Sequence, residues 1–152
     1  MRILDVLQKG AILNNLKSKD KFGILKELVE PVAHITGIGH EDLMSVLLER
    51  ERLGSTGIGD GIGIPHGKLK NLETPVLSFG VSRKGVDFES IDGRPTYIFF
   101  LLFTPENLKS LHIDLLAQIS RILKPEPFKE RLLRAADGNE IYEIIKEEDE
   151  EF

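Results

Sequence analysis

The segment from Gly54 to Lys68 joins a glycine-rich stretch to one histidine, His66, which directly follows Pro65. Glycine reaches positive φ at little cost and carries no side chain, so the N–H groups of such a stretch can turn toward an anion and approach it closely. An imidazole with an ordinary pKa of about 6.5 is largely neutral at neutral pH, so one ring nitrogen is free to attack phosphorus. The pattern predicts phosphate binding with phosphoryl transfer through His66. An ordinary glycine-rich turn with an exposed histidine is the alternative.

Two further polar side chains stand at helical positions where apolar ones are expected. At about 100° per residue, Arg50 falls on the face that carries Leu47, and His112 falls on the apolar stripe that includes Leu115. An inward-facing guanidinium needs an anionic partner, and its planar fork suits a phosphate oxygen or a carboxylate. We therefore predict that Arg50, His66 and His112 share one anion site.

Ordinary structural interpretations stay open for the same residues. A core histidine such as His112 is usually satisfied by a backbone carbonyl, and Arg50 can reach solvent or pair with an acid such as Asp60. The hydroxyls of Ser55 and Thr56 either donate to bound phosphate or stabilise the turn. The residues that we assign to phosphate binding are Ser55, Thr56, Gly57, Gly61 and Gly67.

Common nucleotide, metal and hydrolase motifs fit this segment less well. Ile62 and Leu69 stand where a Walker loop requires a glycine and a hydroxyl residue, and His66 stands where the dinucleotide fingerprint requires its third glycine. Ser55 lacks the Gly-x-Ser-x-Gly elbow of a hydrolase nucleophile. A metal site built on His66 and His112 would need further ligands that the spacing does not supply. We predict neither a metal nor a cofactor.

Helices and strands alternate along the chain around this segment. Ser18 is predicted to cap a helix that Pro31 kinks or ends, and Thr104 with Pro105 is predicted to open a later helix. Helices should therefore flank a small sheet in an α/β fold. The predicted strands are residues 75–81 and 97–103, with a short extended piece at 86–89. The first predicted helix runs from residue 18 to a break at Gly37. The others cover residues 40–53 and 104–123 and lie around 128–133 and 141–145.

Composition limits the remaining possibilities. A chain of 152 residues with a net charge of −5 fits one domain, and its scattered basic residues give no track for nucleic acid. It has no cysteine, which excludes disulfides and thiolate chemistry. We expect a soluble cytoplasmic protein without membrane insertion, because no signal-peptide core follows Met1 and no apolar run approaches about 20 residues. We divide it into a domain over residues 1–146 and a frayed acidic tail over residues 147–152.

Taken together, these motifs resemble the fructose/mannitol-type (type 2) enzyme IIA domain of the phosphoenolpyruvate:sugar phosphotransferase system. The resemblance covers essentially the whole chain, and one departure is Gly63, where the family commonly has alanine. It implies a single α/β domain with a small mixed β-sheet flanked by helices on both faces. The matching residues are Arg50-Glu51, Gly54-Ser55-Thr56-Gly57-Ile58-Gly59, Gly61-Ile62, Ile64-Pro65-His66-Gly67 and Ser110-Leu111-His112-Ile113.

The resemblance also implies a mechanism and partners. His66 would accept a phosphoryl group from an HPr-like phosphocarrier protein and pass it to a IIB component, with Arg50 and His112 lining the site. We expect attack through Nε2 of His66, with Arg50 and loop N–H groups on the phosphoryl oxygens and a hydrogen bond from His112. The sequence leaves the protonation state of His112 open. The family includes sugar-uptake subunits and nitrogen-related regulatory proteins that bind target proteins, and a non-catalytic regulatory interaction module is the alternative to a carrier.

Overall fold

The computed structural model of the chain describes the backbone of residues 1–151 and the side chains of residues 1–150. Twelve helices and strands follow one another in this part of the chain. In chain order they are α1 (Ile3–Val6), β1 (Leu7–Leu13), α2 (Lys21–Thr36), α3 (His40–Arg52), β2 (Gly57–Gly59), β3 (Ile62–Gly63), β4 (His66–Leu69), β5 (Val76–Val86), β6 (Thr96–Pro105), α4 (Lys109–Ile122), α5 (Glu126–Arg134) and α6 (Gly138–Glu151).

The six strands form one mixed sheet with β5 and β6 at its centre. β5 pairs antiparallel with β6 and parallel with β1, so the sheet runs in the order β1-β5-β6-β3-β2. The outer side of β6 pairs in parallel first with β3 and then with β4, which lie one after the other along the same strand. This second pairing holds His66 opposite Leu102, near the carboxyl end of β6.

Two helical layers cover the two faces of the sheet. Alternate side chains of β6 point to opposite faces, so Phe100 packs with α4, α5 and α6, whereas Phe99 and Leu101 pack with α2 and α3. Because β6 is covered on both faces, its sequence contains a continuous apolar run. The predicted fold class, an α/β single domain with a small mixed sheet flanked by helices on both faces, is confirmed. None of the helices in residues 1–151 has the length and apolarity of a membrane span.

Two helix starts differ from the prediction. The cap of α2 is Asp20, whose Oδ1 accepts the Gly23 N–H at 2.8 Å, while the N–H of Ser18 donates to Glu27. Thr104 and Pro105 end β6 instead of opening a helix, and α4 begins at Lys109. The pairing of β6 with β4 continues through both residues, so the sheet overrides their local preference for a helix start.

Pro31 neither breaks nor ends its helix. α2 continues past it and stops at Gly37, which adopts the left-handed conformation with φ of 74°. The proline is buried in the layer that α2 forms on the sheet. Packing of the apolar face of α2 therefore outweighs the lost backbone hydrogen bond.

The predicted acidic tail differs from the structure over its described part. α6 extends through residue 151, and Asp149 is buried with its carboxylate 3.6 Å from Nε of Arg2. The described end of the chain is therefore helical and contacts the amino terminus through Asp149, while Glu147 and Glu150 are exposed. Residue 152 of the predicted tail lies outside the described residues.

Candidate active site

His66 lies at the first position of β4, with its imidazole half-buried. Nδ1 is 2.7 Å from the carbonyl oxygen of Ile64, and because a carbonyl only accepts, Nδ1 carries the proton and donates it. A neutral imidazole then has its lone pair on Nε2. Nε of Arg50 donates to that nitrogen at 3.2 Å. The backbone of Ile64 therefore fixes the tautomer in which Nε2 carries the lone pair and accepts from Arg50.

Arg50 lies in the last turn of α3, as the helical spacing predicts, and is half-buried. Besides its bond to His66, it donates from Nη1 to the carbonyl oxygen of Gly54 at 2.9 Å. Both bonds go to neutral acceptors rather than to the carboxylate of Asp60. The guanidinium is thus held beside the nucleophile with its positive charge uncompensated by these partners, which favours binding of an anion there.

His112 lies in the first turn of α4 with 6% of its surface exposed. Its ring faces His66, with ring centroids 5.4 Å apart. The partner of its Nδ1 is Oγ1 of Thr104, at 2.5 Å, rather than the backbone carbonyl that is usual for a core histidine. The two histidines therefore face one another from β4 and α4.

Both imidazoles are neutral at neutral pH. Burial lowers the pKa of His112 from its ordinary value of 6.5 to about 4, and the proximity of His66 and Lys68 acts in the same direction. Burial also lowers the pKa of His66, and the charge of Arg50 acts in the same direction, while the hydrogen bond to Ile64 opposes them. In the unliganded protein His112 is therefore an uncharged hydrogen-bonding ring.

A cleft of about 520 Å³ brings the three predicted residues together. Arg50, His66 and His112 form its polar part, and Lys68 and Glu49 carry charge at its rim. Leu53, also on the lining, is 83% exposed and offers an apolar edge. The remaining lining residues are Val46 and Gly67.

Gly67 is required by close packing beside the nucleophile. A Cβ added there would lie 2.5 Å from Cγ1 of Val46 and 3.3 Å from the ring of Phe103. α3 therefore approaches β4 closely only because this position has no side chain. The contact brings Arg50 of α3 within reach of His66.

The other four residues assigned to phosphate binding lie elsewhere, and their polar groups are bonded within the protein. The hydroxyl of Ser55 donates to the Phe88 carbonyl at 3.0 Å and accepts the Gly57 N–H at 3.0 Å. Both the N–H and the hydroxyl of Thr56 donate to the carboxylate of Glu51. The turn-stabilising interpretation of these hydroxyls is the one that the structure supports.

The two glycines among these four residues, Gly57 and Gly61, take part in backbone hydrogen bonds. The carbonyl of Gly57 accepts from Ile91, and that of Gly61 accepts from the first residues of β6. The cleft lining therefore includes Gly67 but not Ser55, Thr56, Gly57 or Gly61 among the residues that the structure describes. The N–H groups of Thr56 and Gly57 are bonded within the protein, so the assignment of these two residues to phosphate binding stays a prediction.

Sequence reasoning missed two groups that support the site. Glu51 is almost fully buried, where it accepts from Thr56 and pairs with Nζ of Lys21 at 2.8 Å. Thr104 bonds His112, although its position before Pro105 indicated a helix cap. A buried glutamate beside Arg50 was visible as part of the Arg50-Glu51 pair, but its partners are distant in sequence. Within residues 1–151, no cluster of three or more histidine, aspartate or glutamate side chains has a metal-binding arrangement.

The chain matches a family model along nearly its whole length. Residues 5–148 match the model described as "Phosphoenolpyruvate-dependent sugar phosphotransferase system, EIIA 2". A nitrogen regulatory protein of Bradyrhizobium diazoefficiens is 39% identical over 145 residues, which are 95% of each chain. The fructose-specific EIIABC component of Bacillus subtilis is 34% identical over 98% of this chain, which corresponds to 24% of that larger protein.

Solved structures show the same fold. The nitrogen regulatory protein IIA-Ntr of Neisseria meningitidis superposes with a TM-score of 0.88 at 27% identity, covering 93% of this chain and 97% of that one. The IIA mannitol protein of Escherichia coli superposes with a TM-score of 0.78 at 21% identity, covering 91% and 98%. With the family model and these relatives in agreement, the chain belongs to the type 2 EIIA family of the phosphoenolpyruvate-dependent sugar phosphotransferase system.

Proposed function

We propose that this protein is a cytoplasmic phosphohistidine carrier that accepts a phosphoryl group on Nε2 of His66 and passes it to another protein. The observation that carries the proposal is the hydrogen bond from Nδ1 of His66 to the Ile64 carbonyl, which leaves the lone pair on Nε2 beside Arg50. Family membership supports a role in phosphoryl transfer, and the cleft supplies the groups that such a transfer needs.

The transfer step is a displacement at phosphorus. The Nε2 lone pair of His66 forms the new N–P bond while the N–P bond of the donor phosphohistidine breaks, and the donor ring leaves with that electron pair. The proton on Nδ1 of His66 stays in place, because the Ile64 carbonyl continues to accept it. The reverse sequence of the same events passes the group to an acceptor.

Charge in the cleft favours the transferred group. The guanidinium of Arg50 lies next to Nε2, where it can hold the equatorial oxygens as they pass between the two nitrogens. Lys68 adds positive charge at the rim, and the ring of His112 faces the same space. Since the phosphoryl group passes from one protein side chain to another, alignment of the two side chains and neutralisation of the phosphoryl charge are the main tasks of this site.

The donor and acceptor are proteins, namely an HPr-like phosphocarrier on one side and a IIB component or a regulatory target on the other. The fold is shared with a chain solved as a complex of enzyme IIAMTL with phosphorylated IIBMTL of Escherichia coli. The exposed Leu53 at the cleft edge provides apolar surface of the kind that protein partners bury.

The decisive measurement is the phosphorylation of the isolated chain. Incubation with phosphoenolpyruvate, enzyme I and HPr should give an acid-labile phosphate, and ³¹P NMR should place it on Nε2. His66→Ala should abolish the label, whereas the exposed-histidine control His34→Ala should keep it. Absence of label on the wild-type chain, or label persisting in His66→Ala, would reject the carrier role and favour a non-catalytic interaction module.

A regulatory output has specific support beside sugar uptake. The Bradyrhizobium diazoefficiens relative named as a nitrogen regulatory protein is 39% identical, against 34% for the Bacillus subtilis fructose-specific component. We therefore expect that affinity capture with phosphorylated and unphosphorylated protein recovers a target protein in one state and not in the other. Recovery of sugar-specific IIB or permease components alone would assign the chain to uptake.

A further inference from the structure

We propose that Thr104 sets the tautomer of His112, so that Nε2 of His112 bears the ring proton and points it into the cleft as a donor. The use of that proton on a phosphoryl oxygen rests on the proposed function. The tautomer itself does not, because it is a property of the unphosphorylated protein.

The hydrogen bond between Thr104 and His112 has a preferred direction. Oγ1 of Thr104 lies 2.5 Å from Nδ1 of His112, and the threonine is fully buried at the end of β6. If the hydroxyl accepted a proton from Nδ1, its own proton would need a second acceptor. Within the described part of the chain, the only side-chain hydrogen bond of Thr104 is the one to His112. Buried donors are almost always satisfied, so the hydroxyl donates and Nδ1 accepts.

The consequence for His112 follows from the proton count of a neutral imidazole. With Nδ1 as acceptor, the single ring proton must be on Nε2. Burial beside His66 and Lys68 lowers the pKa of His112 to about 4, so the ring is neutral at neutral pH and its tautomer decides what it presents. The opposite tautomer would present a lone pair to the phosphoryl oxygens and repel them.

The two histidines of the cleft would then be opposite tautomers with complementary tasks. His66 has its proton on Nδ1, held by a backbone carbonyl, and presents a lone pair. His112 has its lone pair on Nδ1, held by a side-chain hydroxyl, and presents a proton. Their ring centroids are 5.4 Å apart, so a phosphoryl group on one ring lies beside the other. Thr104 is in this sense a positioning residue, because it acts on the reaction only through His112.

The chain offers a matched control on the same strand. Thr96 begins β6, is also fully buried, and its hydroxyl is without a hydrogen-bond partner among the described residues. Thr96→Val therefore removes a buried β6 hydroxyl without touching either histidine. Thr104→Val removes the hydroxyl that bonds His112 while keeping the volume, and Thr104→Ser restores a hydroxyl at the same place.

The test is ¹⁵N NMR of the imidazole nitrogens in the full unphosphorylated chain at neutral pH. In the wild type, Thr104→Ser and Thr96→Val, we expect the Nε2 signal of His112 to be that of a protonated nitrogen and the Nδ1 signal that of an unprotonated one. In Thr104→Val, both signals should move toward intermediate positions as the two tautomers exchange. A wild-type spectrum with the proton on Nδ1 would overturn the proposal even if Thr104→Val failed to fold, and so would an unchanged tautomer in a folded Thr104→Val.

Phosphoryl transfer from phospho-HPr gives a second readout. Loss of one oriented hydrogen bond to the phosphoryl group should slow phosphorylation of Thr104→Val roughly tenfold, with recovery in Thr104→Ser and little change in Thr96→Val. Equal transfer rates in Thr104→Val and Thr96→Val would contradict a positioning role. If the wild-type chain accepted no phosphate at all, the proposed function would fail, while the NMR result would still decide the tautomer.

Discussion

Residues 54–63 and residues 64–68 are adjacent in the chain but use their polar groups in opposite ways. In the first region, the hydroxyls of Ser55 and Thr56 and the N–H groups of Thr56 and Gly57 are all hydrogen-bonded within the protein. In the second, His66 keeps Nε2 directed at the cleft with Arg50 as its neighbour. Glycine content marks the first region, and a position on the cleft marks the second.

The glycines of the first region serve its own geometry. Gly59 and Gly61 have φ of 96° and 79°, on either side of Asp60, so they make the tight turn between β2 and β3. Nζ of Lys129, from α5, donates to the Asp60 carbonyl at 3.0 Å and fixes this turn. The difference teaches that a glycine-rich stretch beside a histidine can be a framework that places the histidine rather than a cradle for its phosphate.

The largest effect on phosphoryl transfer should come from a substitution of Arg50 in the cleft. Arg50→Ala removes the cation beside Nε2, and we expect phosphorylation from phospho-HPr to fall about a hundredfold, as for loss of one oriented donor to a developing charge. The free energy of unfolding should fall by no more than about 2 kcal/mol, because Arg50 is only half-buried and water partly replaces its two hydrogen bonds. Initial rates of label transfer and urea unfolding measure the two quantities.

Arg52 supplies the matched control for that experiment. It is exposed in the same last turn of α3, so Arg52→Ala removes an equal charge from the same helix end without opening the cleft. We expect its transfer rate to stay within about threefold of the wild type, since solvent and salt screen an exposed charge. Normal transfer in Arg50→Ala together with a large loss of stability would make Arg50 structural.

Substitutions in residues 54–63 should lower the free energy of unfolding rather than the rate of phosphoryl transfer. Thr56→Val removes a buried hydroxyl that donates to the Glu51 carboxylate, and we expect a loss of about 2 kcal/mol in the free energy of unfolding. Transfer at a temperature where the variant is folded should stay within about threefold. The exposed Thr74→Val is the control for the substitution itself. A tenfold slower transfer with unchanged stability would instead make Thr56 a phosphate ligand, as the sequence suggested.

The framework of the fold was predictable where packing produces a periodic pattern. The continuous apolar run of β6 and the apolar face of α3 predicted a strand covered on both sides and an inward-facing Arg50, and the structure has both. The short strands β2, β3 and β4 were not predicted, because two to four residues give too little periodicity and their pairing partners are distant in sequence. β1 and α1 were missed as well.

The grouping of the three polar residues in one cleft was predictable, but their supporting contacts were not. Helical spacing brought Arg50 and His112 to the same side as His66, and the cleft contains all three. The contacts that support these three side chains are between residues that only the tertiary structure brings together, such as Thr104 with His112 and Glu51 with Lys21. Hydroxyls beside a glycine-rich segment have two uses that look alike in sequence, and only their hydrogen bonds separate them.

A smaller effect should appear in the pH dependence of stability, through His112 in the cleft. The folded protein holds His112 neutral down to a pKa of about 4, whereas the unfolded chain takes up that proton near the ordinary value of 6.5. Between these values the unfolded state binds more protons, so the contribution of His112 to stability is fully present above 6.5 and is lost as pH falls toward 4. We expect the urea midpoint of the wild type to fall across this range and the midpoint of His112→Asn to fall less. The exposed-histidine variant His34→Asn should follow the wild type. Equal slopes for wild type and His112→Asn would show that the acid sensitivity arises from groups other than His112, such as His66, whose pKa burial also lowers.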